Sequence, residues 1–323
     1  MRVVVTGGAG YIGSHVVHAL RRAGHEPHVL DDLSNGHADA IAGVPFEAGD
    51  VTAPGTLADL VRRIDARAIL HFAARIQVGE SVARPDLYYG TNVGGMLRVA
   101  EVASQARIPV VLSSTAAVYG VPVELPIPVS HPCRPESPYG WSKLMSERML
   151  ADCARAAGFP YAVLRYFNAA GADVEAGLRE RHAPETHLVP LAIEAALGNG
   201  RALKLFGSDW PTVDGTCLRD YVHVMDLADA HLKALDRLVG GTPAITVNLG
   251  GGRGTTVREV IDAVARAVGR PVPTEIGPRR AGDVASLVAD VSEARNLLGW
   301  SPTRRSEIGQ VVEDAVAVIR LRA

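Results

Sequence analysis

Arg2-Val3-Val4-Val5-Thr6-Gly7-Gly8-Ala9-Gly10-Tyr11-Ile12-Gly13 opens the chain and decides the fold. A β-branched apolar run ends in glycines at 7, 8, 10 and 13, and residues 14–23 then carry a helical apolar period closed by Gly24. The reading is strand, turn, helix. Gly8-x-Gly10-x-x-Gly13 has the spacing that lets a backbone turn tightly and lets a pyrophosphate sit against the N–H groups of a helix N-terminus. His28-Val29-Leu30 forms a second strand ending at Asp31, eighteen residues past Gly13. A carboxylate there accepts hydrogen bonds from two ribose hydroxyls and repels a 2′-phosphate, which selects NAD over NADP.

Outward from this unit, short apolar runs alternate with amphipathic helices to about residue 167, as an α/β doubly wound parallel sheet of Rossmann type requires. Strands are expected at 2–6, 27–31, 44–48, 68–73, 109–114 and 161–167. Their C-terminal ends, at Gly7, Asp31, Asp50, Ala73, Thr115 and Phe167, should converge on one crevice. Long helices are expected at 85–106, which contains Asn92, and at 139–157. Six prolines between Val121 and Pro138 make that stretch an ordered loop. After Asn168 the pattern loosens: 172–187 is polar and loop-like, a helix is expected at about 188–198, and 201–222 reads as strand and loop. Residues 244–249 read as a further strand, and Thr256-x-x-Glu259 is a capping box for a helix at 257–268. The expected division is a nucleotide-binding domain, 1–167 with about 223–250, and a smaller irregular α/β substrate-binding portion, about 168–222 with 251–323.

The 323 residues are 47% hydrophobic with formal net charge −2, and basic residues form no tract. Nucleic acid and anionic membrane therefore have no electrostatic partner surface. An uninterrupted apolar stretch long enough to span a bilayer is missing, and Cys133, Cys153 and Cys217 are odd in number and lack metal-ligand spacing. With no leader signature recognised, a reducing, cytoplasmic location is expected.

Tyr139-Gly140-Trp141-Ser142-Lys143 places a phenol and an ammonium four residues apart on one helical face. Bringing a phenol from about 10 to near 7 takes about 3 units, of which one neighbouring cation supplies about 1 to 3. Lys143 alone is marginal, and the positive nicotinamide ring of NAD⁺ can supply the rest. Thr115 ends the fifth strand 24 residues upstream of Tyr139. A hydroxyl, a phenol and an ammonium at a cofactor crevice suit removal of a proton and a hydride from a secondary alcohol. His71, His187 and His223 fit no ligand spacing, so no metal is expected.

The chain resembles the extended short-chain dehydrogenases/reductases, and among them the UDP-glucose (UDP-galactose) 4-epimerase family. The resemblance rests on residues 4–15, His71-Phe72-Ala73-Ala74, Val78-Gly79-Glu80-Ser81, Ser137-Pro138-Tyr139-Gly140, Leu164-Arg165-Tyr166-Phe167-Asn168, 214–228 and 278–283. It implies that Thr115 holds the sugar 4-hydroxyl, Tyr139 is the acid/base, and Lys143 binds the nicotinamide ribose. It implies a cofactor site of Gly7, Gly10, Tyr11, Ile12, Gly13, Asp31, Asp32, Asn35, Asp50, Val51, Phe72, Ala73, Asn92 and Tyr166, besides Tyr139 and Lys143. On the substrate side it implies Asn168, Leu188, Phe206, Arg219, Arg280 and Asp283, holding a small-molecule UDP-sugar. Two arginines from distant segments can clamp a diphosphate. A homodimer through the helices at 85–106 and 139–157 is a further implication. Related dehydratases and decarboxylases place acidic residues after the catalytic Ser/Thr, whereas Ala116 and Ala117 follow Thr115 here. The chain departs from the family at Arg75-Ile76-Gln77, where many relatives carry a lysine at 76, and at the bulky Trp141; Leu287 falls where the pocket walls the sugar 2-substituent.

Overall fold

The computed structural model describes residues 1–280 and 283–321. Ala281 and Gly282, inside the 278–283 stretch, lie outside the described residues. Seven strands form the central sheet: β1 (Arg2–Thr6), β2 (Glu26–Asp31), β3 (Phe46–Ala48), β4 (Ala68–His71), β5 (Val110–Thr115), β6 (Tyr161–Tyr166) and β7 (Ala244–Leu249). Every pairing is parallel and the order is β7-β6-β5-β4-β1-β2-β3. Val3, Val4 and Val5 are wholly buried, because helices cover both faces of β1. Val3 and Val5 pack on one side with Val16, Val17 and Leu20, and Val4 on the other with Leu57, Met96 and Leu150. The chain leaves β1 toward β2 and β3, then returns to lay β4 on β1's other edge. Strand order reverses there, and the crevice outside the strand ends opens at that point.

All six expected strands of the first half form, within about two residues of their expected ends. The expected helix at 85–106 is helical throughout but not uniform: Pro85–Tyr88 and Gly94–Ala106 are α-helical, and Tyr89–Val93 is a π turn. Such a widened turn changes which way its side chains point, here those of Thr91 and Asn92. Helix Pro138–Ala157 begins with Pro138 in its first turn and with the Ser137 hydroxyl accepting from the Gly140 N–H at 3.2 Å. Helix Val224–Val239, which leads toward β7, packs its Leu227, Ala230, Ala234, Leu235 and Leu238 into the same core as helix Tyr11–Arg22. A separate core joins helices Leu188–Leu197, Val257–Val268 and Ile308–Leu321 through Ile193, Val260, Val264, Val311 and Val312. The capping box forms as expected. Strand Leu218–His223 pairs in parallel with Ser286–Leu287, and Leu203 and Tyr221, from strands Leu203–Phe206 and Leu218–His223, pack into this second core.

Candidate active site

Three of the four opening glycines are required by the protein itself. A Cβ on Gly7, whose φ is +70°, would lie 2.4 Å from the Ala73 nitrogen; one on Gly13 would lie 2.2 Å from the Gly7 carbonyl oxygen; one on Gly8 would lie 2.8 Å from Val29 Cγ2. Gly10 differs, since a Cβ there would meet only the Gly7 oxygen at 3.3 Å. Its openness lies where helix Tyr11–Arg22 begins, and Gly10, as N-cap, offers no capping side chain to the first helical N–H groups. Tyr11, Ile12 and Gly13 therefore present donors with no intrahelical acceptor, a cradle that fits a pyrophosphate.

Asp31 is buried at the end of β2, accepting from the N–H groups of Ala9 at 2.9 Å and Leu33 at 2.8 Å. Burial pushes its carboxyl upward, and those two bonds oppose the shift. It thus ties the glycine turn to the next loop while keeping further acceptor capacity for a ribose. Asp32, which accepts from Ser34 N at 2.9 Å, and Asn35 are exposed on that loop. Asp50 is exposed after β3, accepting from Thr52 N at 2.7 Å, and Val51 is buried beside Gly95. Beyond β4, the Phe72 and Ala73 N–H groups both donate to the Thr6 carbonyl, at 2.8 and 3.1 Å. The π turn sends the buried Asn92 amide onto this loop: its oxygen accepts from Arg75 N at 2.8 Å, and its nitrogen donates to Arg75 O at 3.1 Å and Ser142 Oγ at 2.9 Å.

Thr115 ends β5, and its Oγ1 accepts from Ala117 N at 3.1 Å, closing the turn Ala116–Val118. Gly140 seats the next helix directly on that turn, since a Cβ there would lie 2.6 Å from the Ala117 oxygen. This close approach brings the Tyr139 phenol to the Thr115 hydroxyl, whose hydrogen bond lowers the phenol's pKa while burial, the larger effect, raises it. Lys143 is buried, donates from Nζ to the Ser113 carbonyl at 2.9 Å, and is pushed down to about 8 by desolvation against the opposing field of Glu147. In the protein alone the phenol therefore stays above its ordinary value, and the demand on a cation bound in the crevice exceeds what spacing alone suggested. Tyr88 stands edge-on to Tyr139 with ring centroids 6.4 Å apart, and its hydroxyl donates to Glu80 at 2.8 Å. Arg75 lies 3.7 Å from the same carboxylate, so the departure at 75–77 is anchored beside Tyr139.

One turn beyond Lys143, Glu147 receives the buried Arg165 guanidinium at 2.6 Å, and Ser114 Oγ donates to the same carboxylate. Arg165 also donates to Tyr119 Oη at 2.9 Å and Val129 O at 3.2 Å. Next along β6, the buried Tyr166 hydroxyl bonds to His231 Nε2.

Of the residues expected on the substrate side, Arg219, Arg280 and, through Arg280, Phe206 gather around Asp283. Arg219 NH2 lies 3.8 Å from Asp283 Oδ1, and Arg280 NH2 donates to the same oxygen at 3.1 Å. Arg219 is also steered by the Leu218 and Val284 carbonyls, at 3.0 and 2.9 Å. The Arg280 guanidinium stacks 5.1 Å above the Phe206 ring centroid. Leu287 pairs with Arg219 in parallel register. Asn168 is exposed at the start of Asn168–Ala170, which pairs with Tyr221, and Leu188 begins helix Leu188–Leu197 half-buried.

The three histidines separate. His71 is buried against Thr6 Oγ1 at 2.7 Å and pushed down to about 3, and His223 faces Asp314 at 3.1 Å. His187 instead joins Glu180, His182 and Glu185, with one ligand atom from each within 4.8 Å of the others. Reading histidine separations alone missed this group; the alternation Glu180-x-His182-x-x-Glu185-x-His187 carries the signal.

The model of the NAD dependent epimerase/dehydratase family matches residues 3–250, and the chain belongs to that family. A UDP-glucose 4-epimerase of Rhizobium meliloti (strain 1021) is 46% identical over 314 residues, covering 97% of this chain and 95% of the relative. The crystal structure of UDP-glucose 4-epimerase from Brucella ovis in complex with NAD superposes with a TM-score of 0.95 at 44% identity, covering 97% of each chain. That of Bifidobacterium longum, in complex with NAD⁺ and UDP, gives 0.93 at 34% identity, covering 99% and 98%.

Proposed function

We infer that the protein inverts C4 of UDP-glucose and UDP-galactose as an NAD-dependent isomerase. The observation that carries this reading is the Thr115–Tyr139 contact at the end of β5, followed by two alanines. A proton can be taken from a sugar hydroxyl there, while Ala116 and Ala117 leave no acid or base to move protons at C5 and C6, which a dehydratase needs. When bound, NAD supplies the acceptor and later donor of the C4 hydride. Thr115 orients the 4-hydroxyl, and Tyr139 Oη takes its proton as the 4-keto sugar forms and returns it after the sugar has turned over. Lys143 holds positive charge beside the nicotinamide ribose. The glycine turn, Asp31, Asp32, Asn35, Asp50 and Val51 receive the pyrophosphate and adenosine, while Phe72, Ala73, Asn92 and Tyr166 border the rest. Arg219 and Arg280, with Asp283 between them, grip the diphosphate; Phe206 lies at the uracil, and Asn168 and Leu188 complete the pocket. A grip on the UDP leaves the hexose free to rotate, as inversion through a ketone requires.

The chain divides, in this reading, into 1–167 with about 223–250 for the nucleotide and about 168–222 with 251–323 for the sugar nucleotide. Exposed Val82, Tyr89, Leu97, Trp141 and Met145 lie on helices that pack against one another, and support a homodimer through that face. Trp141 then belongs to the subunit contact. Among the described residues no helix is long and apolar enough to cross a membrane; the location we propose is the cytoplasm.

A proton NMR time course with UDP-galactose and no added NAD tests the function. UDP-glucose should accumulate to equilibrium, and Tyr139→Phe should lower kcat about 10²–10⁴-fold with NAD retained. Absence of any 4-epimer, even with NAD supplied, overturns the reading. UDP-N-acetylgalactosamine in a parallel tube reports what Leu287 admits.

A further inference from the structure

We propose that Glu180, His182, Glu185 and His187 form a structural site for one divalent transition metal ion, zinc by preference, that fastens the loop between the nucleotide side and helix Leu188–Leu197. Two imidazole nitrogens and two carboxylate oxygens lie within 4.8 Å of one another, on four residues of an eight-residue segment. His187 Nδ1 stands 2.9 Å from Glu180 Oε1 and 2.8 Å from Glu185 Oε1; His182 Nδ1 stands 3.2 Å from Glu180 Oε1 and 3.9 Å from Glu185 Oε2. The His182, Glu180 and Glu185 side chains are only 11%, 7% and 11% exposed, so three donors are shielded and the fourth, His187, at 41%, faces the open side of the group. Buried His182 Nδ1 has no hydrogen-bond partner of acceptable geometry, and a ligand is what it lacks.

The donor chemistry selects the ion. A mixed nitrogen and oxygen set of four suits tetrahedral Zn²⁺, whereas Mg²⁺ and Ca²⁺ prefer all-oxygen shells of higher coordination number. Four protein ligands close the shell, which makes the ion structural and gives it no part in epimerisation. Its place in the fold gives that structural role a purpose. Arg181, between two ligands, pairs with Asp39 at 2.8 Å and accepts at its carbonyl from His37 Nε2 at 2.9 Å; both partners follow the Asp31–Asn35 loop. The His182 ring also stands edge-on to Tyr11 of the glycine turn, at 6.4 Å. One ion would thus fix a strap running from the turn that holds the dinucleotide to Leu188.

Metal analysis of protein purified without chelator should find about one zinc per chain. Chelator-treated protein should rise in melting temperature by roughly 5 °C on adding Zn²⁺, and His182→Ala and His187→Ala should lose that rise. Because either variant can fail to fold, Co²⁺ added to the chelator-treated wild type provides an independent reading: visible absorption bands of a tetrahedral cobalt centre are expected. Featureless cobalt spectra, or a melting temperature that follows pH but ignores Zn²⁺, Co²⁺ and Mn²⁺, overturn the proposal and leave the cluster as ion pairs.

Discussion

Two arginine–carboxylate groups of the molecule are built oppositely. Arg165 and Glu147 are both buried, with side chains 9% and 8% exposed, one cation facing one anion. Ser114, Tyr119 and the Val129 carbonyl take up further donors and acceptors. At Asp283, one carboxylate faces two guanidiniums, one of them 3.8 Å away and the other 61% exposed on its side chain. The first group is saturated and neutral; the second carries one uncompensated positive charge and unused donors. Saturation and charge balance thus separate Arg165 from Arg219 and Arg280, a difference invisible in the letter R.

The sharpest way to break this contrast is to truncate the saturated group. Arg165→Ala strands Glu147 in the core and should cost about 3–5 kcal/mol in urea unfolding, whereas an apolar double replacement of Arg165 and Glu147 should recover much of that loss. If Arg165→Ala unfolds like the wild type, the pair is not structural. Arg219→Ala should leave unfolding nearly unchanged and raise the KM for UDP-galactose about 10- to 100-fold, matching loss of a charge-assisted contact of about 1.5–3 kcal/mol. The pH dependence of Lys143 gives a smaller effect that divides stability from turnover. Its pKa is held near 8 in the fold against about 10.4 in the unfolded chain, so the unfolded state binds more protons between those values. Its contribution is therefore least favourable below pH 8, and stability should rise through that window, while turnover falls up to about tenfold by pH 9 as the ammonium is lost. Lys143→Met should abolish the stability rise. Arg280→Ala, at an exposed position, should change KM only about 2- to 5-fold.

The first half of the fold was legible because its constraints are local. The β1 turn announces itself by glycines that the backbone cannot replace, and the helix expected from Tyr139 begins one residue earlier, at Pro138. Helix Val224–Val239 drew no such signal: Leu218–His223 runs into it without glycine or proline, and its cap is His223, outside the usual capping types. Beyond Val268 no helix or strand was expected either, since Trp300 acquires its structural meaning only by donating to the Asp226 carbonyl 74 residues away. At the site, Thr115, Tyr139 and Lys143 were readable from strand end and helical spacing, and the structure brings them together. That Lys143 spends a donor on Ser113, and that Arg219 and Arg280 share one carboxylate, are facts of packing between segments far apart in sequence.

The Asn92 amide has a mechanical consequence. Gripping both backbone polar groups of Arg75 and the hydroxyl of Ser142, it makes the loop after β4 and the helix bearing Lys143 a single plate. Local opening there must break three bonds at once, so the Arg75 amide proton should exchange with deuterium far more slowly than its loop position suggests. In Asn92→Ala that protection should collapse, allowing the loop after β4 and the helix bearing Lys143 to fluctuate independently.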